Sequence, residues 1–383
     1  MQPVNLDHNA TTPIDPAVLD AMLPFLREEF GNPSSAHAIG RRAHDAVENA
    51  RAQVAALIGA DAEEITFTSG GTEASNIAIR GAAKRDPQRR ALVTTTIEHP
   101  ATEACCALLE REGHEIRRVA PRPDGRVTTA AVAAMIDRST ALVSIIHAQN
   151  EIGTLQPVGE IAHAAKQHGA LIHADVAQSL GKILVNVDAL GVDLMSVAGH
   201  KLYAPKGIGA LYQRRGLQLP SVLVGAGQEQ GRRAGTENVA SIVALGEACR
   251  IAGQWLNRAN DLPALTQELL TRLRRDVPGL VLVGDPFGRL PNTLNVLFPA
   301  VSGRRVLEAC PGVLASTGSA CHADREDPSA ILLALGIAPE AALGAVRLSL
   351  GRATTPGDIE AAASRLAAAW RATARHEAQK AAV

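Results

Sequence analysis

The stretch Leu142-Val143-Ser144-Ile145-Ile146-His147 decides how this chain is built. An apolar run of this kind suits a strand covered on both faces, and such strands belong to a mostly parallel sheet. Short β-rich runs recur at Ile65–Thr68, Ala91–Thr95, Ile116–Val119, Leu171–Asp175, Leu194–Val197 and Ile208–Tyr212. Between them lie amphipathic helical patterns, among them Pro16–Glu29, Arg41–Ile58, Glu73–Lys84 and Val158–His168. This alternation, from about residue 16 to about residue 257, predicts an α/β unit with a mainly parallel, seven-stranded sheet.

Past residue 257 the order changes to a helix (Pro263–Asp276), two strands (Leu280–Val283 and Thr293–Phe298) and an irregular stretch around Ser316–Asp327. A strand (Val346–Ser349) and an Ala-rich helix (Pro356–His376) follow. That order reads as a smaller α+β domain to which the N-terminus returns. With 383 residues the chain is long enough for two cores. The expected division is a large domain over 14–257 and a small one over 258–383 together with 1–13.

Charge is balanced, 38 Lys+Arg against 39 Asp+Glu, which argues against nucleic acid or an anionic membrane as the main partner. No apolar stretch is long enough to span a bilayer, and the start lacks the pattern of a signal peptide. A cytoplasmic location is the expectation. Five cysteines, an odd count without CxxC spacing, point to free thiols in a reducing compartment. Cys105, Cys106, Cys249 and Cys310 read as small buried hydrophobes.

Asp175 closes one strand candidate, and Lys201 follows another in Ser196-Val197-Ala198-Gly199-His200-Lys201. This pairing suits pyridoxal phosphate: a lysine amine holds the aldehyde, and a buried carboxylate keeps the ring nitrogen protonated. Thr68-Ser69-Gly70-Gly71-Thr72-Glu73 joins a strand to a helix and reads as a phosphate cradle at Gly71 and Thr72. A plain glycine turn capped by Thr72 is the competing description. His99, at a carboxyl strand end, can stack on a flat ring and exchange protons. Asn150 could bond to a phenolic oxygen or a substrate carboxylate, though turn chemistry explains it equally well. Gln178, three residues past Asp175, can face the same ring if the chain turns helical after Val176.

Cys321 lies in the irregular stretch Ser319-Ala320-Cys321-His322, badly placed for core packing and well placed for a mobile nucleophile. No further ligands accompany Cys321-His322, so a metal is not expected. Arg352, just past a strand and a glycine, suits a bidentate grip on an α-carboxylate, whereas Arg347 reads as structural.

Nine segments in order make the chain similar, almost end to end, to the cysteine desulfurases among the fold-type I pyridoxal-phosphate enzymes. They are Asp7–Pro13, Phe30–His37, Thr68–Glu73, Glu98–Pro100, Asn150–Gly153, Gly199–Lys201, Arg233–Asn238, Ser319–Cys321 and Ser349–Arg352. The resemblance implies that Lys201 binds the cofactor aldehyde, His99 stacks on its ring, Asp175 pairs with the pyridine nitrogen and Gln178 with the phenolic oxygen. It also implies that Thr72 and His200 hold the phosphate, with Thr236 reaching in from a second subunit of a homodimer. Asn150 and Arg352 would take the carboxylate of L-cysteine, and Cys321 would accept its sulfur. A persulfide acceptor, such as an iron–sulfur scaffold or a thiolation enzyme, would follow. Relatives of the iron–sulfur type carry a serine where this chain has Ala198, which implies weaker cofactor retention. Ala198 and His322 also resemble selenocysteine lyases, which makes L-selenocysteine the alternative substrate. An aminotransferase or C–S β-lyase is a more distant alternative.

Overall fold

One sheet holds all seven expected strands: β1 (Ile65–Thr68), β2 (Ala91–Thr95), β3 (Glu115–Val119), β4 (Thr140–Ile146), β5 (Leu171–Asp175), β6 (Leu194–Ala198) and β7 (Gly209–Gln213). The computed structural model describes residues 3–258, 260–317 and 327–381. The strands stand in the order β1-β7-β6-β5-β4-β2-β3. From β6 to β3 the neighbours are parallel, and β7 runs antiparallel to both β6 and β1.

Every residue of β4 is buried, as its composition requires. Leu142 joins Leu92, Leu194 and Leu211 on one face, packed against α3 (Gly71–Arg85) and α4 (Pro100–Arg111). Val143 and Ile145 join Val93, Met195 and Tyr212 on the other, under α1 (Pro16–Arg27), α2 (Ala38–Ile58) and the later helix Val239–Leu256. Period-two alternation within an all-apolar strand thus feeds two cores at once. Helix α2 starts three residues before the expected Arg41 because His37 caps it, its Nδ1 accepting from Gly40 N–H at 3.2 Å. It ends on Gly59 in the left-handed region (φ 71°), which spares a side chain the clash with the next carbonyl.

A second, antiparallel sheet has the order β10-β9-β8, formed by β8 (Val281–Val283), β9 (Thr293–Leu297) and β10 (Ala345–Ser349). Helices Leu262–Asp276 and Pro356–Ala381 share its core through Leu269, Leu273, Val296, Leu348 and Leu366. Leu6 lies in the same core, and Val4–Asn5 pairs parallel with Val313–Leu314. Two-residue strands carry no periodicity, so the sequence offered no sign of this pair. No helix among the described residues is long and apolar enough to cross a membrane.

Candidate active site

Parallel strands bring their carboxyl ends to one edge, where α/β sheets gather ligand groups. There a single pocket is lined by Gly71, Thr72, His99, Asn150, Asp175, Gln178, His200 and Lys201, with Ile146, Ala177 and Ala198 among its walls. Helix α3 begins at Gly71, so its positive end opens on the pocket. A Cβ added to Gly71 would come within 3.2 Å of Ala198 Cβ, which puts the Ala198 methyl beside that helix end. His99 caps α4, its Nδ1 accepting from Ala101 N–H at 3.1 Å, which leaves the ring proton on Nε2. Next to it, buried Glu98 accepts from Thr95 Oγ1 at 2.6 Å and from Ile146 N–H at 3.0 Å, and burial pushes its carboxyl up to about 8.

The N-terminal segment closes this edge. Asn9, fully buried, receives Lys201 Nζ and, at 3.0 Å, Gln178 Nε2 on its carbonyl oxygen. His200 Nδ1 meets Thr11 Oγ1 at 3.2 Å, and Thr12 N–H donates to the His200 carbonyl at 3.0 Å. Tyr203 adopts a left-handed conformation (φ 66°), costly for a residue with a side chain. Its N–H donates to Thr12 Oγ1 at 2.8 Å, and its Oη accepts from Arg352 N–H at 2.8 Å.

Burial dominates the electrostatics. Lys201 is lowered to about 8, first by desolvation and then by the Arg347 guanidinium, with Asp175 and Asp7 opposing. Burial likewise raises Asp175 and lowers His99, while His200 falls to about 4 for the same reason. Arg347 pairs with Asp7 Oδ1 at 2.9 Å and donates to the Asn150 carbonyl at 3.2 Å, the structural role its position suggested.

Thr236 and Arg352 do not line this pocket. Thr236 is exposed and lines a separate cleft with Thr68, Ser69 and Glu237. Arg352 lays its guanidinium over the Tyr203 ring (4.5 Å) and the Trp255 ring (5.5 Å), leaving buried Nε and Nη1 without a hydrogen-bond partner among the described residues. Cys321 lies outside the described residues. Cys105, Cys106, Cys249 and Cys310 are buried free thiols. Sequence reasoning gave no role to Asn9, Lys182 or Tyr203; only Asn9 carried a signal, inside the quoted Asp7–Pro13 segment.

These residues fit pyridoxal phosphate. Asp175 is buried with no salt-bridge partner among the described residues, which suits a ring N–H⁺. Among the described residues Lys201 presents an amine bonded only to a main-chain oxygen, and a helix N-terminus with a hydroxyl residue stands ready for a phosphate.

Residues 4–362 match the family model described as Aminotransferase class-V. The cysteine desulfurase of Trichormus azollae is 42% identical over 363 residues, which cover 94% of this chain and 91% of that protein. A solved NifS-like protein superposes with a TM-score of 0.90 at 34% identity, covering 96% of this chain and 99% of that one. A structure titled "SspA in complex with cysteine" gives 0.82 at 34% identity, with 92% and 99% covered. An end-to-end match of this extent, on a fold whose strand edge collects the same cofactor-type side chains, leaves one assignment: the chain belongs to the aminotransferase class-V family, among the cysteine desulfurases.

Proposed function

We propose that this protein is a pyridoxal-phosphate-dependent cysteine desulfurase that converts L-cysteine to L-alanine and holds the sulfur as a persulfide on Cys321. The reading rests on one observation: the side chains of Thr72, His99, Asn150, Asp175, Gln178 and His200 converge on a single pocket around a desolvated lysine. Residues 14–257 would form the cofactor-binding domain, and 258–383 with 1–13 the domain bearing Cys321. Bound there, the cofactor supplies an electron-accepting ring that makes the amino acid α-proton acidic.

Each side chain then has a bounded task. Thr72 and His200 hold the phosphate, with Thr236 from the second subunit of a homodimer. Asp175 keeps a proton on the ring nitrogen, Gln178 donates to the phenolic oxygen and neutral His99 stacks on the ring. Asn150 and Arg352 hold the substrate carboxylate, and the unpartnered Arg352 Nε and Nη1 suit that grip. Lys201 Nζ, desolvated enough to be basic near neutral pH, moves the α-proton. At Cys321 Sγ an S–S bond forms as the substrate Cβ–S bond breaks. Cβ keeps the electron pair and takes up a proton, leaving alanine. The persulfide passes to an acceptor protein in the cytoplasm, of the iron–sulfur scaffold or thiolation kind.

Product analysis with purified protein tests this. Alanine forms from L-cysteine, Lys201→Ala removes the visible band and the turnover, and Cys321→Ala removes the turnover alone. Pyruvate in place of alanine overturns the reaction. Turnover of L-cysteine by Cys321→Ala overturns the role of that thiol. Loss of L-cysteine turnover with L-selenocysteine turnover intact assigns the chain to selenocysteine lyase chemistry instead.

A further inference from the structure

Lys182 lies four residues beyond Gln178 and belongs to none of the nine family segments. Its Nζ donates to Gln178 Oε1 at 2.7 Å and to Asn9 Oδ1 at 2.7 Å. Among the described residues no carboxylate pairs with it. The charged groups that face it are two cations, Lys201 and Arg347, with the His8 ring also near. A half-buried lysine set among like charges and tied to two amides is costly to keep, so its geometry calls for a reason.

A lysine ammonium has three donors and no acceptor. Only oxygens can face it, so both amides turn their oxygens toward Nζ and their NH2 groups away. Asn9 accordingly sends Nδ2 to Thr293 Oγ1 at 2.9 Å and toward the Asn150 carbonyl at 3.4 Å. Gln178 sends Nε2 to the Asn9 carbonyl at 3.0 Å and keeps a second N–H for the pocket that it lines. Lys182 fixes the oxygen end of the Gln178 amide and the Asn9 carbonyl its NH2 end; without Lys182 a single contact holds it.

We propose that Lys182 is a positioning residue: it locks the Gln178 amide so that an N–H, and not an oxygen, faces the group held at Lys201. The proposal rests on the reading of Gln178 as partner of the cofactor's phenolic oxygen. An N–H donor stabilises that oxygen as an anion, so the adjoining nitrogen releases its proton more easily. The pH midpoint of the cofactor's visible band reports this directly, independent of turnover.

The test compares that midpoint in cofactor-loaded wild type, Gln178→Leu and Lys182→Met. Both variants should shift it upward by about one pH unit, and the double variant no further. A wild-type midpoint in Gln178→Leu overturns the reading of Gln178 and the proposal with it. A shifted midpoint in Gln178→Leu beside an unshifted one in Lys182→Met overturns the role of Lys182 alone. Should Lys182→Met fail to fold, Lys182→Gln serves, since a glutamine can show either end and the constraint lapses. Its midpoint should also rise, and a wild-type value refutes the proposal.

Discussion

Lys201 Nζ donates to the main-chain oxygen of Asn9, a residue 192 positions earlier in the chain. The contact joins the N-terminal segment to the lysine loop, and it is made by a neutral acceptor. Among the described residues the lysine has no ion pair, and the charges of Asp175 and Asp7 offset only part of its desolvation.

A lysine lowered to about 8 leaves a signature in the cofactor-free protein. Between about 8 and its ordinary value of 10.5, the unfolded chain binds more protons than the folded one, so stability rises with pH through that window. Below it the burial cost is present in full. Lys201→Met should therefore raise cofactor-free stability at pH 7, by up to about 3 kcal/mol, with the gain gone above pH ~10.5. Urea unfolding at pH 7 and pH 10.5 checks this, and a gain equal at both pH values contradicts it.

Ala198 brings a methyl to the opening turn of α3, where a hydroxyl could donate to an anion. Ala198→Ser should tighten pyridoxal-phosphate binding by about 3- to 10-fold, the worth of one added hydrogen bond. Equilibrium dialysis of wild type and variant measures the ratio; equal dissociation constants remove the argument.

Arg352 sets its guanidinium over the rings of Tyr203 (4.5 Å) and Trp255 (5.5 Å), and its Nε and Nη1 have no hydrogen-bond partner among the described residues. Arg352→Gln should raise KM for L-cysteine by roughly 10- to 100-fold, the loss of a charge-assisted hydrogen bond. Arg352→Lys should recover only part of it, because an ammonium lacks the fork. A wild-type KM in Arg352→Gln would relocate the carboxylate grip.

Glu229 anchors the loop that carries Thr236. Its carboxylate takes Arg51 Nη1 at 2.7 Å, Arg51 Nη2 at 3.1 Å and Phe67 N–H at 2.8 Å, all buried. Its own backbone is left-handed (φ 49°). Glu229→Leu leaves Arg51 only the more exposed Glu48 carboxylate (3.1 Å) and the Ile65 carbonyl, and should cost about 3 kcal/mol in chemical unfolding. A loss below 1 kcal/mol (~) would mean that water replaces the carboxylate there.

Much of this architecture was legible before any coordinates. Seven apolar runs marked the sheet because strands buried on both faces cannot hide their composition. Gly71, Thr72, His99, Asn150, Asp175, Gln178 and Lys201 stood out because ligand groups sit at strand ends and helix starts, which are local features, whereas His200 came from the family resemblance alone. Helix starts were read less well: α2 extends back to Ala38 through a histidine cap, a signal absent from the usual capping residues.

What the linear order determined, then, is the alternation of strands and helices and the identity of the side chains around one lysine. Tertiary structure alone decided that Asn9 accepts from both Lys201 and Gln178, that Lys182 faces two amide oxygens and that Arg352 lies on Tyr203 and Trp255. Local pattern follows from backbone period and composition, which a few neighbouring residues carry. The partner of a buried polar group depends instead on which segments the packed core presses together, and here those segments lie up to 343 residues apart.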